Sequence, residues 1–165
     1  MIIDERMSAF IDSLDSGNPA WLNEIEKFAL ETQVPIIRRS MQSLLKFLLK
    51  FTKPKSILEV GTAIGFSALL MSEYAPEDCH ITTIEKYEKR IPIAKENFRK
   101  AGREDRITPE EKTHMSELAE EFNFTYMHTP IYLEENVQLM CRMIPGMKKL
   151  IFLGDGIYPN PEYDK

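Results

Sequence analysis

The sequence has few of the residues that mark specialised classes of protein. Its two cysteines, Cys79 and Cys141, lack metal-ligand spacing, so we expect no disulfide scaffold and a reducing, cytoplasmic compartment. No run approaches the ~18 consecutive apolar residues that span a bilayer, and the first residues lack the basic start and apolar run of a signal peptide. We therefore expect neither a membrane partner nor a secreted protein.

Positive charge is also scarce. The formal net charge is −5, whereas a general nucleic-acid-binding surface needs clustered positive charge. Hydrophobic residues make up 43% of the chain and charged residues 28%, which is typical of a globular protein. A length of 165 residues suits one α/β domain and is short for two.

The spacing of apolar residues changes along the chain. The N-terminal third has helical spacing, and short β-branched runs then alternate with helical segments. The order strand, helix, strand, helix is that of a right-handed parallel unit. The predicted helices cover residues 2–15, 20–32, 38–51, 66–74 and 86–101, and the predicted strands cover 56–60 and 80–84.

The second half of the chain is less regular. Pro109 falls where a third parallel strand is expected and removes a hydrogen-bond donor, so residues 110–121 are predicted to be helical instead. Strands are predicted within 123–132 and over 149–153, with a helix over 133–144 between them. A sheet of about four strands would leave an exposed edge, through which we expect a homo-oligomer to form.

Residues 56–68 form a turn that suits a nucleoside ligand with a charged tail. Gly61 ends the first strand and lets the chain turn sharply, and Gly65 lets the next helix pack closely. That helix offers free N–H groups and the Ser67 hydroxyl to a carboxylate. Glu59 is an acid within an apolar strand and needs a hydrogen-bond partner, which the amino group of the same ligand would supply.

The second predicted strand is followed by Glu85, about twenty residues after the turn, where a carboxylate can accept both hydroxyls of a ribose. No Walker-type lysine follows the glycines, and their Gly-x-x-x-Gly spacing differs from the dinucleotide pattern, which argues against triphosphate and nicotinamide ligands. Each residue alone has a structural explanation, such as a turn glycine or a solvated strand end. Their joint spacing favours a binding site.

The run over 54–68, Pro-Lys-Ser-Ile-Leu-Glu-Val-Gly-Thr-Ala-Ile-Gly-Phe-Ser-Ala, resembles class I S-adenosylmethionine-dependent O-methyltransferases of the catechol and caffeoyl-CoA type. It is especially similar to their bacterial relatives that methylate hydroxyuridine in tRNA. The likeness continues through residues 84–86 and 101–107 and covers residues 1–108. The resemblance implies an α/β fold: a three-layer, Rossmann-like methyltransferase sheet with N-terminal helices.

The resemblance also implies a ligand and a reaction. The cofactor would be S-adenosylmethionine, and the acceptor would be a hydroxyl of a small molecule or of tRNA. The methionine part of the cofactor would contact residues of the turn, and a carboxylate after the second strand would bind the ribose. The cofactor-binding residues that the spacing and the resemblance give together are Glu59, Gly61, Thr62, Gly65, Ser67 and Glu85.

The family pattern is not recognisable after Thr108. The family's metal-binding aspartates and the lysine that assists deprotonation have no clear counterparts, so the sequence gives little support for a divalent metal and assigns no catalytic residue. Asp155 follows a predicted strand, but its register is off by one, which favours a turn residue. We expect residues 1–108 to be the N-terminal half of a methyltransferase domain. Residues 109–165 would be a divergent α/β segment that completes or extends it, truncated or rearranged.

Residues 123–164 are instead similar to part of a type I periplasmic binding or sensor domain, in which a helix leads through a Pro-Gly turn into a strand. That similarity would make the chain a chimera. Three functions therefore stay open. The chain is an S-adenosylmethionine-dependent O-methyltransferase, or a derived domain that binds the cofactor weakly or not at all, or a ligand-sensing module.

Overall fold

The computed structural model describes Arg6, Phe10, Ser13 and residues 15–85, 87–110, 124–127 and 150–152. The described residues form four helices of regular length and five strands. The helix predicted over 133–144, and most of the helices predicted over 2–15 and 110–121, lie outside them, while Glu110 belongs to a strand instead of a helix. In chain order the elements are α1 (Ala20–Glu31), α2 (Arg39–Thr52), β1 (Ser56–Val60), α3 (Phe66–Tyr74), β2 (His80–Ile84), α4 (Ile91–Lys100), β3 (Ile107–Glu110), β4 (Phe124–Met127) and β5 (Leu150–Phe152).

The described strands form one parallel sheet in the order β3-β2-β1-β4-β5. The central strand β1 lies between β2 and β4, so the chain reverses its direction of strand addition after β3. This order is that of a doubly wound sheet, in which ligands bind beyond the carboxyl ends of the strands at the switch point. The predicted α/β fold class is confirmed, and the predicted number of about four strands was too low.

The expectation that Pro109 prevents a third strand was wrong. Pro109 lies within β3 and is paired with Thr83 of β2. β3 is at the edge of the sheet that the described residues form, and a proline is tolerated at an edge because the outer side of the strand needs no donor. The same edge position explains why local sequence rules misjudged this segment.

Helix α3 is buried on all sides. It packs against α1, α2 and β2, and its side chains from Phe66 to Met71 are almost completely inaccessible to solvent. A helix that is apolar all round belongs in the interior of a protein. The turn that joins β1 to α3 is therefore anchored at both ends in the core.

Polar side chains join the N-terminal segment to α2. Lys46 Nζ lies 2.9 Å from Asp15 Oδ1, and Gln42 bonds both Glu26 and Asn18, at 3.1 and 2.8 Å. These groups are largely buried, and buried polar groups stabilise a fold only when they are paired. The network fixes α1 and the chain before it against α2.

Helix α4 begins later than the predicted helix over 86–101. Pro92 lies in its first turn, where a proline needs no hydrogen-bond donor and has a suitable φ angle. The helix ends at Gly102 as predicted, with the Arg103 N–H donating to the Phe98 carbonyl at 3.0 Å. Within the described part of the chain, no helix is long and apolar enough to cross a membrane.

Candidate functional site

The buried acid of β1 receives its hydrogen bonds from the protein itself. Glu59 is fully buried, and its carboxyl oxygens accept hydrogen bonds from the hydroxyls of Ser67 and Thr83. Ser67 lies in the first turn of α3, and Thr83 lies opposite Glu59 in the parallel pairing of β1 with β2. The sequence-based prediction gave Glu59 a ligand amino group as its partner, whereas both partners here are side chains of the core.

The pKa of Glu59 lies far above that of an exposed glutamate. Burial raises it from the ordinary 4.5 to about 7, although the hydroxyls of Ser67 and Thr83 lower it and the negative charge of Glu85 raises it. The two donors therefore offset only part of the cost of removing a carboxylate from water. Glu59 changes its protonation state close to neutral pH.

The turn after β1 has an unusual backbone. Gly61, Ala63 and Gly65 all have positive φ, at 102°, 48° and 86°. Such angles are accessible to glycine and costly for alanine, so external hydrogen bonds are needed to hold the turn. The backbone N–H groups of Gly61 and Thr62 supply two of them, since both donate to the Ile84 carbonyl, at 2.9 and 3.1 Å.

Helix α4 closes the turn from the other side. A Cβ atom added at Gly65 would lie 2.5 Å from Cε1 of Phe98 and 2.9 Å from its Cζ, which is too close for any side chain. Asn97, the neighbour of Phe98, donates from Nδ2 to the Ile64 carbonyl at 2.8 Å. The sequence-based prediction had Gly65 let the following helix, α3, pack closely, whereas the side chain that requires a glycine here is Phe98 of α4.

Glu85 lies immediately after β2 and bonds the turn directly. Its Oε2 accepts the Ala63 N–H at 2.7 Å, and its Oε1 accepts the Tyr87 N–H at 2.8 Å. Glu85 remains partly exposed. Each carboxylate oxygen has two lone pairs, so both can accept one further hydrogen bond, for example from a pair of neighbouring hydroxyls.

Helix α3 begins directly after the same turn, and no side chain caps its N-terminus. The first N–H groups of a helix have no acceptor within the helix, and together with the helix dipole they favour an anion. The Ser67 hydroxyl, predicted to donate to a ligand carboxylate, donates to Glu59 instead. The backbone rather than this hydroxyl offers the open donors.

The structure thus gathers the six predicted residues around one turn: Glu59, Gly61, Thr62, Gly65, Ser67 and Glu85. Sequence reasoning missed Thr83 and Asn97. Thr83 had a usable signal, because β1 and β2 are equally long parallel strands and aligning their ends puts Thr83 opposite Glu59. No sequence signal pointed to Asn97, since its hydrogen bond to the Ile64 carbonyl depends on how α4 packs.

A cleft of about 520 Å³ lies between α1 and α4, lined mainly by Trp21, Ile25, Phe28 and Ile93. Of the described residues that line the cleft, Asn97 bonds the turn at the Ile64 carbonyl and the others belong to α1 and α4 or directly follow α4, so the volume of the cleft is a poor guide to the chemistry. Among the described residues, no three or more His, Cys, Asp or Glu side chains come together as a metal site, and Asp155 lies outside those residues.

The model of a family described as O-methyltransferase matches residues 12–128. This match includes β1, the turn, α3, β2 and Glu85, which are the elements that build the site. It covers more than half of the chain. The chain belongs to the O-methyltransferase family.

Solved structures of methyltransferases share the fold. An SAH-bound methyltransferase from Podospora anserina, PaMTH1, has a TM-score of 0.74 and 25% identity, and the match covers 90% of this chain and 68% of that one. A methyltransferase from Geobacter sulfurreducens has a TM-score of 0.78 and 18% identity, covering 93% and 82%. The match therefore extends beyond residues 1–108, and neither structure supports a sensor-domain origin for residues 123–164.

A curated relative is similar over a shorter stretch. The protein-L-isoaspartate O-methyltransferase of Methanococcoides burtonii is 36% identical over 55 residues, which make up 33% of this chain. The match spans about a quarter of that relative, 27% of its length.

Proposed function

We propose that the chain binds S-adenosylmethionine at the turn after β1 and serves an O-methyltransferase reaction on a hydroxyl acceptor. The observation that carries this proposal is the double use of Glu85. Its carboxylate holds the Ala63 N–H and keeps lone pairs beyond the carboxyl end of β2, beside the turn that follows β1, the strand that borders the switch point of the sheet. Family membership and the SAH in the Podospora anserina relative support the same ligand.

The residues present fit this ligand. The ribose hydroxyls would donate to the free lone pairs of Glu85, and the methionine carboxylate would accept from the uncapped N–H groups at the start of α3. Beneath the ligand, the Glu59 carboxylate would place a negative charge near the ligand's ammonium group. The Ser67 hydroxyl would hold that carboxylate by donating a hydrogen bond to it. Gly61, Thr62 and Gly65 would form the turn on which the ligand lies.

When bound, S-adenosylmethionine supplies a methyl group on a positively charged sulfur. Transfer of this methyl group to an acceptor oxygen would break the carbon–sulfur bond, release the acceptor proton and leave S-adenosylhomocysteine. The turn would bind and orient the cofactor, which would lower the activation barrier of the transfer by holding the reacting atoms in line. We assign no base and no divalent metal to residues of this chain.

Calorimetric titration with S-adenosylhomocysteine tests the binding half of the proposal. The wild-type chain should bind it, and Glu85→Ala should weaken binding about tenfold or more, because hydrogen bonds to a charged group are lost. Glu88→Ala is the matched control, since Glu88 is an exposed carboxylate three residues further along. A folded wild-type chain that gives no binding heat at millimolar ligand would contradict the proposal.

A transfer assay with labelled S-adenosylmethionine tests the second half. Catechol-type small molecules and unmodified tRNA represent the two acceptor classes that we propose, and label should pass to one of them. A chain that binds S-adenosylhomocysteine tightly but transfers no label to either acceptor would fit a binding domain instead of a complete enzyme.

The assembly and location form a separate part of the proposal. The backbone of β5 lies at one edge of the described sheet, and β3 with its proline lies at the other, so β5 is the better edge for pairing with a second copy. Cys79 is free and buried, which suits a reducing cytoplasm. Light scattering should give the mass of a dimer, and a monomeric mass would rule this part out.

A further inference from the structure

Thr83 stands between the buried acid and the turn. It is fully buried, and its hydroxyl donates to Oε2 of Glu59. On its other side, the Thr62 and Thr83 hydroxyl oxygens lie 2.6 Å apart. Glu59, Thr83 and Thr62 therefore form a chain of hydrogen bonds, here called the hydroxyl relay, that runs from the core of β1 through β2 to the turn.

The relay has a definite direction when Glu59 is ionised. A hydroxyl has one proton to donate, and that of Thr83 is used on Glu59. The Thr62 hydroxyl must then be the donor in its contact with Thr83. The side chain of Thr62, which is itself almost fully buried, is held in one orientation by a residue on the neighbouring strand.

The position of Thr62 makes this contact important. It lies between Gly61 and Ala63, two residues with positive φ, and the Gly65 N–H donates to its carbonyl at 2.8 Å. Backbone bonds to Ile84 hold the start of the turn, and Glu85 holds Ala63. The relay adds a side-chain tether at the middle of the same turn.

We propose that Thr83 is a positioning residue for cofactor binding, which fixes the turn by joining Glu59 to Thr62 through its hydroxyl. This inference rests on the proposed function, because the turn it positions is the proposed cofactor site. It adds a residue outside the turn whose side chain would not need to touch the ligand. Thr83 acts through Thr62 and Glu59.

The relay also predicts a dependence on pH. An ionised Glu59 accepts from Thr83, whereas a protonated one can donate to it, which reverses the relay and changes what Thr62 offers to the turn. Burial raises the pKa of Glu59 to about 7, and Glu85 is a charged group that acts on it. Affinity should rise with pH through this titration, since the ionised form attracts the ligand's ammonium group.

The test uses calorimetric titration with S-adenosylhomocysteine at pH 6, 7 and 8. Thr83→Val keeps the shape and removes the hydroxyl, and it should weaken binding about tenfold. Because a donor to the carboxylate is lost, it should also move the midpoint of the pH dependence upward. Thr83→Ser should restore both properties. Thr82→Val is the matched control, since Thr82 is buried on the same strand and faces the opposite side.

A second variant tests the other end of the relay. Thr62→Val should weaken binding as Thr83→Val does but leave the pH midpoint nearer that of the wild type, because Thr83 can still donate to Glu59. If Thr83→Val does not fold, the affinity of Thr62→Val tests whether the relay positions the turn. Wild-type affinity and an unchanged pH midpoint in Thr83→Val would overturn the inference, as would equal losses in Thr82→Val.

Hydrogen exchange without ligand separates this inference from the proposed function. The amides of Gly61, Thr62 and Gly65 should exchange faster in Thr83→Val and at the wild-type rate in Thr83→Ser. If the wild type bound no S-adenosylhomocysteine, the proposed function would fail, and these rates would still show whether Thr83 holds the turn. Unchanged exchange in Thr83→Val would overturn the positioning role.

Discussion

Glu85 Oε2 accepts a hydrogen bond from the Ala63 N–H at 2.7 Å, so the residue that follows β2 fixes the turn that follows β1. Its second oxygen accepts the Tyr87 N–H at 2.8 Å. One carboxylate therefore shapes the two chain segments that follow the adjacent strands β1 and β2. The proposed site is organised by the protein before any ligand binds, and this makes its parts testable through stability as well as binding.

Removal of the Glu85 carboxylate should destabilise the fold. Glu85→Ala leaves the N–H groups of Ala63 and Tyr87 without their acceptor, and we expect the free energy of unfolding to fall by about 1–2 kcal/mol. Urea denaturation measures the loss. Glu88→Ala, which removes an exposed carboxylate nearby, should leave the midpoint unchanged. Equal effects of the two substitutions would contradict the structural role given to Glu85.

Two glycines with positive φ should differ sharply when replaced by alanine. Gly65→Ala should cost about 3 kcal/mol or more, because a left-handed backbone is combined with a Cβ atom 2.5 Å from Phe98 Cε1. Gly102→Ala is the control, with φ 63° and no atom within 4 Å of the added Cβ, and should cost about 1 kcal/mol. Thermal unfolding compares them.

The cause of the Gly65 effect can be isolated by a double-mutant cycle. Phe98→Leu removes the ring that the new Cβ would meet, so Gly65→Ala should cost less in that background than in the wild type. If the stability costs of the two substitutions simply add, the contact with Phe98 is not what makes alanine unfavourable at position 65.

Stability should fall as pH rises because of Glu59. Its pKa is about 7 in the folded chain and 4.5 ordinarily, so between these values the folded state keeps a proton that the unfolded state has lost. The contribution is complete below pH 4.5, declines as pH rises to 7, and amounts to about 3 kcal/mol. Urea denaturation across this range should show it.

Glu59→Gln provides the comparison for this pH effect. The variant cannot ionise, so the difference in unfolding free energy between it and the wild type should change with pH between 4.5 and 7 and stay constant above. A constant difference across the whole range would mean that Glu59 ionises in the folded chain as an exposed glutamate does.

The buried ion pair of Asp15 with Lys46 should be sensitive to the loss of one partner. Burial raises the pKa of Asp15, but hydrogen bonds from Ser43, Lys46 and Gly17 outweigh this, so its pKa is lowered. Lys46→Met leaves an ionised carboxylate without its cation and should cost about 3 kcal/mol. Chemical denaturation measures the cost.

Two further variants complete the test of this pair. Adding Asp15→Asn to Lys46→Met removes the unpaired charge and should recover part of the loss. Lys27→Met disrupts the ion pair between Lys27 and Glu31, in which the two side chains are 76% and 64% exposed. This substitution should leave the unfolding midpoint unchanged. Equal losses at the buried and exposed lysines would refute the account of the buried pair.

Much of the architecture follows from local sequence. The bounds of β1, α3 and β2 agree with the prediction residue for residue, because each is a continuous apolar or β-branched segment closed by glycine, proline or an acid. The turn was predictable for the same reason: Gly61 and Gly65 are needed where φ is positive. The family could be inferred from this local pattern.

Other features could not be predicted in this way. Pro109 was judged by its lack of a donor, but its place at the edge of the described sheet makes that loss tolerable. The start of α4 was placed too early, because the prediction followed the helical spacing before Pro92 and did not use the preference of proline for the first turn of a helix. For Pro109, the deciding fact was which strand lay beside it.

The sequence by itself determined the order of the elements, the turn and the type of residue at each position of the site, since these depend on composition and short-range spacing. Only the tertiary structure decided that Ser67 and Thr83 supply the partners of Glu59 and that Glu85 holds Ala63. Those contacts join residues 8 to 24 positions apart. They exist because the pairing register of β1 with β2 and the packing of α3 bring these side chains to one point.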